Sequence, residues 1–179
     1  MRWKEFKPTV FFLGKFLTIY LAGNLVYGFF VVSYNPSPDP ITNWVTSQTA
    51  TCLSVLGWPA EHVERTNRPT AAIYYQDKSI VTVYEGCNGV NVMIIFVAFL
   101  VAFGPWRKEL LWFIPLGILI IHISNLLRIG LLFFVTLYWP NYLYLSHKYL
   151  FTAFIYGFVL LLWMLWVKRF STHNKTRAT

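Results

Sequence analysis

The chain reads as an all-α integral membrane protein with about four transmembrane helices and a small outer segment, and three observations carry that reading. Of its 179 residues, 56% are hydrophobic and 20% aromatic against 12% charged, more apolar side chain than a soluble domain of this size can cover. The apolar residues gather into long runs near or above the ~20 residues that cross a bilayer as a helix. The net charge of +8 is concentrated where those runs end, so it is not a solvated patch suited to nucleic acid.

The runs lie at about Thr9–Val32, Val90–Gly104 with its flanks, Leu110–Trp139 and Tyr149–Val167. Arg2, Lys4 and Lys7 precede the first, Arg107 and Lys108 join the second to the third, and Lys168, Arg169, Lys175 and Arg177 follow the last. That bias places both termini on the cytoplasmic side. The start resembles a secretory signal, but the apolar run is too long for one and no small-residue cleavage site follows, which predicts an uncleaved signal-anchor helix. Within it, Lys15 is placed to snorkel and Asn24 to pack against another helix. Residues 34–86 then form an outer segment of a single membrane-embedded unit, 1–170, and residues 171–179 a polar cytoplasmic tail.

The outer segment has its own punctuation. Asp39-Pro40 reads as an N-cap followed by proline at the first helical position. Ile41, Trp44, Val45, Cys52, Leu53 and Leu56 fall near one face of a surface helix ending at Gly57. Ala71–Tyr75 and Ile80–Tyr84 are β-prone runs separated by Gln76-Asp77-Lys78-Ser79, the pattern of a β-hairpin whose second strand leads to Cys87. The run Leu110–Trp139 would measure about 45 Å as a helix, too long for one crossing and too short for two. Charge bias and parity predict one crossing from about Leu110 to Ser124, a break or an emergence from the membrane near Asn125, and an outer-side continuation whose re-entry without crossing stays open.

Three chemically strong groups then stand at membrane edges: Cys87, Arg128 and His147. A thiol beside an imidazole can form a thiolate–imidazolium pair that attacks a carbonyl, with the histidine protonating the leaving amine. Arginine stays protonated and cannot act as a base, but it stabilises a thiolate or oxyanion in a poorly solvated site. No Asp or Glu lies within a span, which removes carboxylate proteolysis and proton relays. The two cysteines and four histidines have no metal-ligand spacing, and no cofactor motif is present. His122 is expected to hydrogen-bond between helices, Cys52 to be a structural thiol, and Trp106, Trp112, Trp139, Tyr142 and Tyr144 to form interfacial belts.

Glu85-Gly86-Cys87-Asn88-Gly89 opening a helix, Asn125-Leu126-Leu127-Arg128-Ile129, and His147 ahead of Gly157 together resemble the exosortase/archaeosortase family of membrane cysteine transpeptidases, in the compact form found in Bacteroidetes. The resemblance covers about Ile80–Gly157. It implies Cys87, Arg128 and His147 as catalytic residues, with Asn88, Gly89 and Asn125 supporting them. It implies an inner-membrane enzyme, active on the periplasmic side, that cuts the C-terminal sorting signal of membrane-anchored secreted proteins. The acyl group would pass to an amine, a hydroxyl or water. The chain departs from the pattern at Asn88, where many relatives have Ser or Ala, and in having fewer spans than full-length members. The competing reading is a transporter subunit or assembly scaffold in which Arg128 binds an anion. The two separate on whether Cys87 forms a covalent adduct with substrate or an electrophilic probe.

Overall fold

The computed structural model describes residues 3–104 and 108–175. Arg2, Trp106, Arg107 and the last four residues of the tail, Arg177 among them, lie outside them. The chain runs α1 (Trp3–Val32), α2 (Pro40–Val55), β1 (Glu61–Arg65), β2 (Thr70–Tyr75), β3 (Lys78–Tyr84), a 3-10 turn (Glu85–Cys87), α3 (Val90–Phe103) and α4 (Leu110–Tyr138). A 3-10 turn (Pro140–Tyr142), the short α5 (Leu143–Leu145) and a π turn (Ser146–Leu150) then lead into α6 (Phe151–Lys175), so the first residues of the expected polar tail are helical.

Three helical segments are long and apolar enough to cross a membrane: Phe6–Val32, Leu110–Tyr138 and Pro140–Arg169. The fourth expected span is α3, whose 14 residues measure about 21 Å, short of a hydrocarbon core of ~30 Å. Along α1, Phe11, Leu21, Leu25, Val26 and Phe29 are exposed, an apolar stripe that lipid rather than water must cover. On its other side, Phe12 meets the rings of Phe99 and Phe103 of α3 edge-on at 5.7 and 6.1 Å. Phe99 stacks on Trp163 of α6 at 4.2 Å, and Phe113 of α4 lies 5.0 Å from Trp166. These rings, with Phe96, Leu100, Ile121 and Val159, form a core among α3, α4 and α6. Lys15 lies over the Phe11 ring. Asn24 donates to the Tyr20 carbonyl of its own helix rather than to a neighbouring one.

Above that core sits the outer segment, and four expectations for the sequence are corrected or extended there. First, α4 is continuous through Asn125, which excludes the break expected there as one of two alternatives. Its 29 residues contain proline only at Pro115, and Asn125 turns its amide toward the Cys87 carbonyl instead of interrupting its own helix. Second, the β-hairpin is part of a three-stranded antiparallel sheet of order β1-β2-β3. The β2–β3 turn narrows to Gln76-Asp77, both with positive φ, the backbone that matches strand twist in two-residue hairpins. β1, Glu-His-Val-Glu-Arg, is too polar to register as a strand by hydrophobic alternation.

Third, α2 begins as expected: Asp39 accepts from the amides of Ile41 and Thr42 at 3.0 Å each, with Pro40 at the first position. Its buried face differs, however, consisting of Thr42, Val45, Thr46, Thr49, Ala50 and Leu53. Trp44, Cys52 and Leu56 are exposed. Thr46 and Thr49 bond the carbonyls four residues back, which satisfies their hydroxyls and lets a threonine face enter the core. Fourth, the expected helix-to-helix bond of His122 is made, to Gln48 of α2 at 2.8 Å, with the imidazole stacked on Trp44. Val45, Leu53, Ile73, Val81 and Val83 close over Ile129, Leu132 and Phe133 of α4, and Cys87 lies at the edge of this second core.

Candidate active site

Cys87 ends the 3-10 turn between β3 and α3 and is 5% exposed. The residues after it explain how the thiol is held. Asn88, fully buried, accepts from the Val90 amide at 3.1 Å at the start of α3. Its amide donates to the Tyr27 hydroxyl of α1 at 2.5 Å and to Thr42 Oγ1 at 3.0 Å. Thr42 in turn donates to the capping carboxylate Asp39. All hydrogen-bonding capacity of the buried Asn88 amide nitrogen is used, and one side chain ties the thiol turn to α1 and α2. Gly89 has φ +89°, and a Cβ there would stand 3.2 Å from Asn125 Cγ, so both the backbone and the α4 contact require glycine. Asn125 donates to the Cys87 carbonyl at 3.0 Å, fixing the turn to α4 from below.

Arg128 lies one turn beyond Asn125 on the same face of α4. Its Nη2 is 3.8 Å from Cys87 Sγ, and the side chain is 8% exposed. Among the described residues no carboxylate pairs with this guanidinium, and its buried Nε has no partner. A buried cation without an anion is costly, and the group facing it is the thiol. His147 reaches the same sulfur from a different segment, its Nε2 3.7 Å from Sγ. It sits in the π turn Ser146–Leu150, a local widening of the helix found often at functional positions. Three residues from three segments, with 60 positions separating Cys87 from His147, thus meet on one sulfur.

Tyr84 was not singled out in the sequence. Its ring crosses the face of Gly86, where a Cβ would clash with ring atom Cε2 at 2.4 Å. The charge of the Cys87 sulfur, together with the hydrogen bond between them, holds the phenol above its ordinary value. The only signal for it was adjacency to the Glu-Gly-Cys sequence. Cys52 and Cys87 are both free thiols, and among the described residues no cluster of His, Cys, Asp or Glu could hold a metal ion.

Two cavities adjoin at Arg128 and His147, and the first of them reaches Cys87. One, of about 340 Å³, is lined by Ile80–Val83, Cys87, Arg128, Leu132, Thr136 and His147 among others. The second, of about 440 Å³, lies between the start of α3 (Asn91, Val92) and α6 (Thr152, Ile155, Tyr156), and shares Arg128, Tyr144 and His147 with the first. The arrangement can activate a thiol, hold negative charge beside it, and admit a chain from either side.

Residues 9–167 match the family model described as transmembrane exosortase. No curated protein and no solved structure matches the chain.

Proposed function

The chain belongs to the transmembrane exosortase family, and from that premise we propose that it is a membrane-embedded cysteine peptidase and transpeptidase. It cuts the C-terminal sorting signal of membrane-anchored secreted proteins at the outer face of the inner membrane. One observation carries the reading: the Cys87 sulfur lies 3.7 Å from an imidazole nitrogen and 3.8 Å from a guanidinium nitrogen, inside a cavity large enough for a peptide.

In the proposed reaction the Cys87 thiolate attacks the scissile carbonyl and a C–S bond forms. Arg128 holds the charge, first on sulfur and then on the oxyanion. His147 carries the proton from the thiol and gives it to the leaving amine as the C–N bond breaks. The product is an acyl-enzyme thioester and a released C-terminal helix. An amine, a hydroxyl or water then attacks the thioester, with His147 accepting its proton and Cys87 leaving as thiolate. Asn88, Gly89 and Asn125 position the thiol turn and take no part in proton transfer.

The topology that fits this chemistry has both termini cytoplasmic, with Lys108 and Lys168 at the inner boundary. α3 is then counted as a fourth, short crossing within a single unit of residues 1–170. Partners are the sorting-signal helix of the substrate, the bilayer and an acceptor nucleophile. A membrane-anchored substrate meets the thiol in two dimensions, which lowers the entropic cost of alignment. Mass spectrometry of full-length enzyme reconstituted with candidate C-terminal substrates tests the proposal. An acyl adduct on Cys87 supports it; cleavage that persists in well-expressed Cys87→Ala protein refutes it.

A further inference from the structure

The two edges of the sheet differ in a way that stability alone does not require. β1, at one edge, carries Glu61, Glu64 and Arg65, charges of the kind that keep exposed strand edges from pairing. β3, at the other, begins with Lys78 and then presents Ile80-Val81-Thr82-Val83, four residues without a charge or proline. β3 pairs with β2 along one side only. Among the described residues no backbone or side-chain group beyond β2 bonds the backbone of these four residues, although Val81 and Val83 are buried. Backbone groups left open at a half-buried edge are a template for another strand.

The first cavity runs along that open edge. Successive strand residues point to opposite faces, so a space lined by Ile80, Val81, Thr82 and Val83 together lies beside the strand and not over one face of it. Its far wall is α4, through Arg128, Leu132 and Thr136. Arg128 to Thr136 spans about 12 Å of helix, and Ile80 to Val83 about 10 Å of strand; the two walls agree on a groove for three to four extended residues. At one end stands Cys87, and at the other Ile80 and Thr136.

Resting on the proposed function, we infer that the three to four substrate residues preceding the scissile bond bind as an added strand on β3. The strand is parallel to β3. α4 rises toward the outer side from Leu110 to Tyr138, so the Thr136 end of the groove faces the secreted part of the substrate. The substrate therefore runs from that end toward Cys87, as β3 itself runs from Ile80 through Val83 to the thiol turn. Residues after the scissile bond pass down toward the second cavity, between α3 and α6, where the departing helix belongs.

Parallel pairing directs both N–H and C=O of alternate residues to the same neighbour, which gives a period-two test. Full-length enzyme in nanodiscs is treated with tetrapeptidyl chloromethyl ketones of Ala and Val, each N-methylated at one position, and Cys87 labelling rates are read by mass spectrometry. Methylation at alternate positions should slow labelling about tenfold, the loss of one backbone hydrogen bond, and the intervening positions should be unaffected. Thr136→Trp, which fills the distal end, should slow peptide labelling while iodoacetamide still alkylates Cys87 at the unmodified rate. Equal rates for all N-methyl positions, or labelling indifferent to Thr136→Trp, overturn the strand. The enzymatic reading fails on a different result, substrate cleavage that survives Cys87→Ala.

Discussion

Replacing Arg128 by Met should move activity and stability in different directions. The guanidinium nitrogen lies 3.8 Å from Cys87 Sγ, and at an effective dielectric near 20 a unit charge at that distance is worth about 4 kcal/mol to a thiolate or oxyanion. Removing a single donor from an oxyanion site costs a factor of about 10²–10³ in turnover, so a loss in that range is expected for Arg128→Met. The empty enzyme should not suffer. Arg128 is buried, has no carboxylate partner among the described residues, and leaves Nε unpaired, so an unbranched apolar side chain removes an uncompensated charge. Thermal unfolding of the detergent-solubilised variant should match or exceed that of the parent. Arg128→Lys keeps the charge but loses the planar fork and should fall between the two in activity. Cleavage of a co-expressed substrate, normalised to membrane levels, reads the first effect, and a tryptophan-fluorescence melt reads the second. A variant that is unstable and still processes substrate within about threefold of the parent would show Arg128 to be structural, against the electrostatic argument.

Cys87→Ala should abolish processing and Cys87→Ser nearly so, because a hydroxyl is far less ionised than a thiol; both should appear at parental membrane levels on an immunoblot. His147→Ala should lower the rate of acyl-enzyme formation by about 10²–10⁴, the usual worth of a general acid–base, in single-turnover assays. Gly89→Ala imposes a left-handed φ on a residue with a Cβ and crowds Asn125, so it should destabilise by about 1–2 kcal/mol in a melt and reduce Cys87 alkylation. Cys52→Ala, at an exposed free thiol, should retain full processing, and a requirement for Cys52 would reveal a role that its position does not explain.

What could be read from the sequence were features whose cause is local. The Asp39-Pro40 start of α2 follows from capping chemistry within four residues, and the turn between β2 and β3 from residues tolerant of positive φ. Cys87, Arg128 and His147 were legible because each is chemically out of place at a membrane edge, and span parity brought them to one side. The misses have causes that no local pattern carries. α4 passes straight through Asn125 because the asparagine amide finds its partner 38 positions away on Cys87. β1 is polar because it is an edge, and the buried threonines of α2 are tolerable only because their hydroxyls bond back to the helix. Asn88 looked like a variable neighbour of the cysteine; its partners, Tyr27 and Thr42, lie 61 and 46 positions away.

On the proposed topology, the lengths of the helices set the depth of the proposed reaction. On the proposed topology α4 starts at the cytoplasmic boundary with Leu110, and the 18 residues to Arg128 raise it about 27 Å. α6 reaches the same boundary at Lys168, and the 21 residues back through α6 and the π turn to His147 raise that side chain roughly 30 Å. Two helices of different origin thus deliver the cation and the imidazole to nearly one level, at the outer limit of a ~30 Å hydrocarbon core. The continuation of α4 from Arg128 to Tyr138 then stands above the hydrocarbon, where it supplies the wall against which β3 forms its groove. On that topology the unbroken helix would join a site at membrane depth to the proposed binding surface above it. On the proposed function, a substrate entering from the bilayer would meet the thiol where its own helix ends and its extended chain begins. Attack at that junction needs no unwinding of the substrate helix, because the scissile bond is placed where lipid no longer enforces backbone hydrogen bonding.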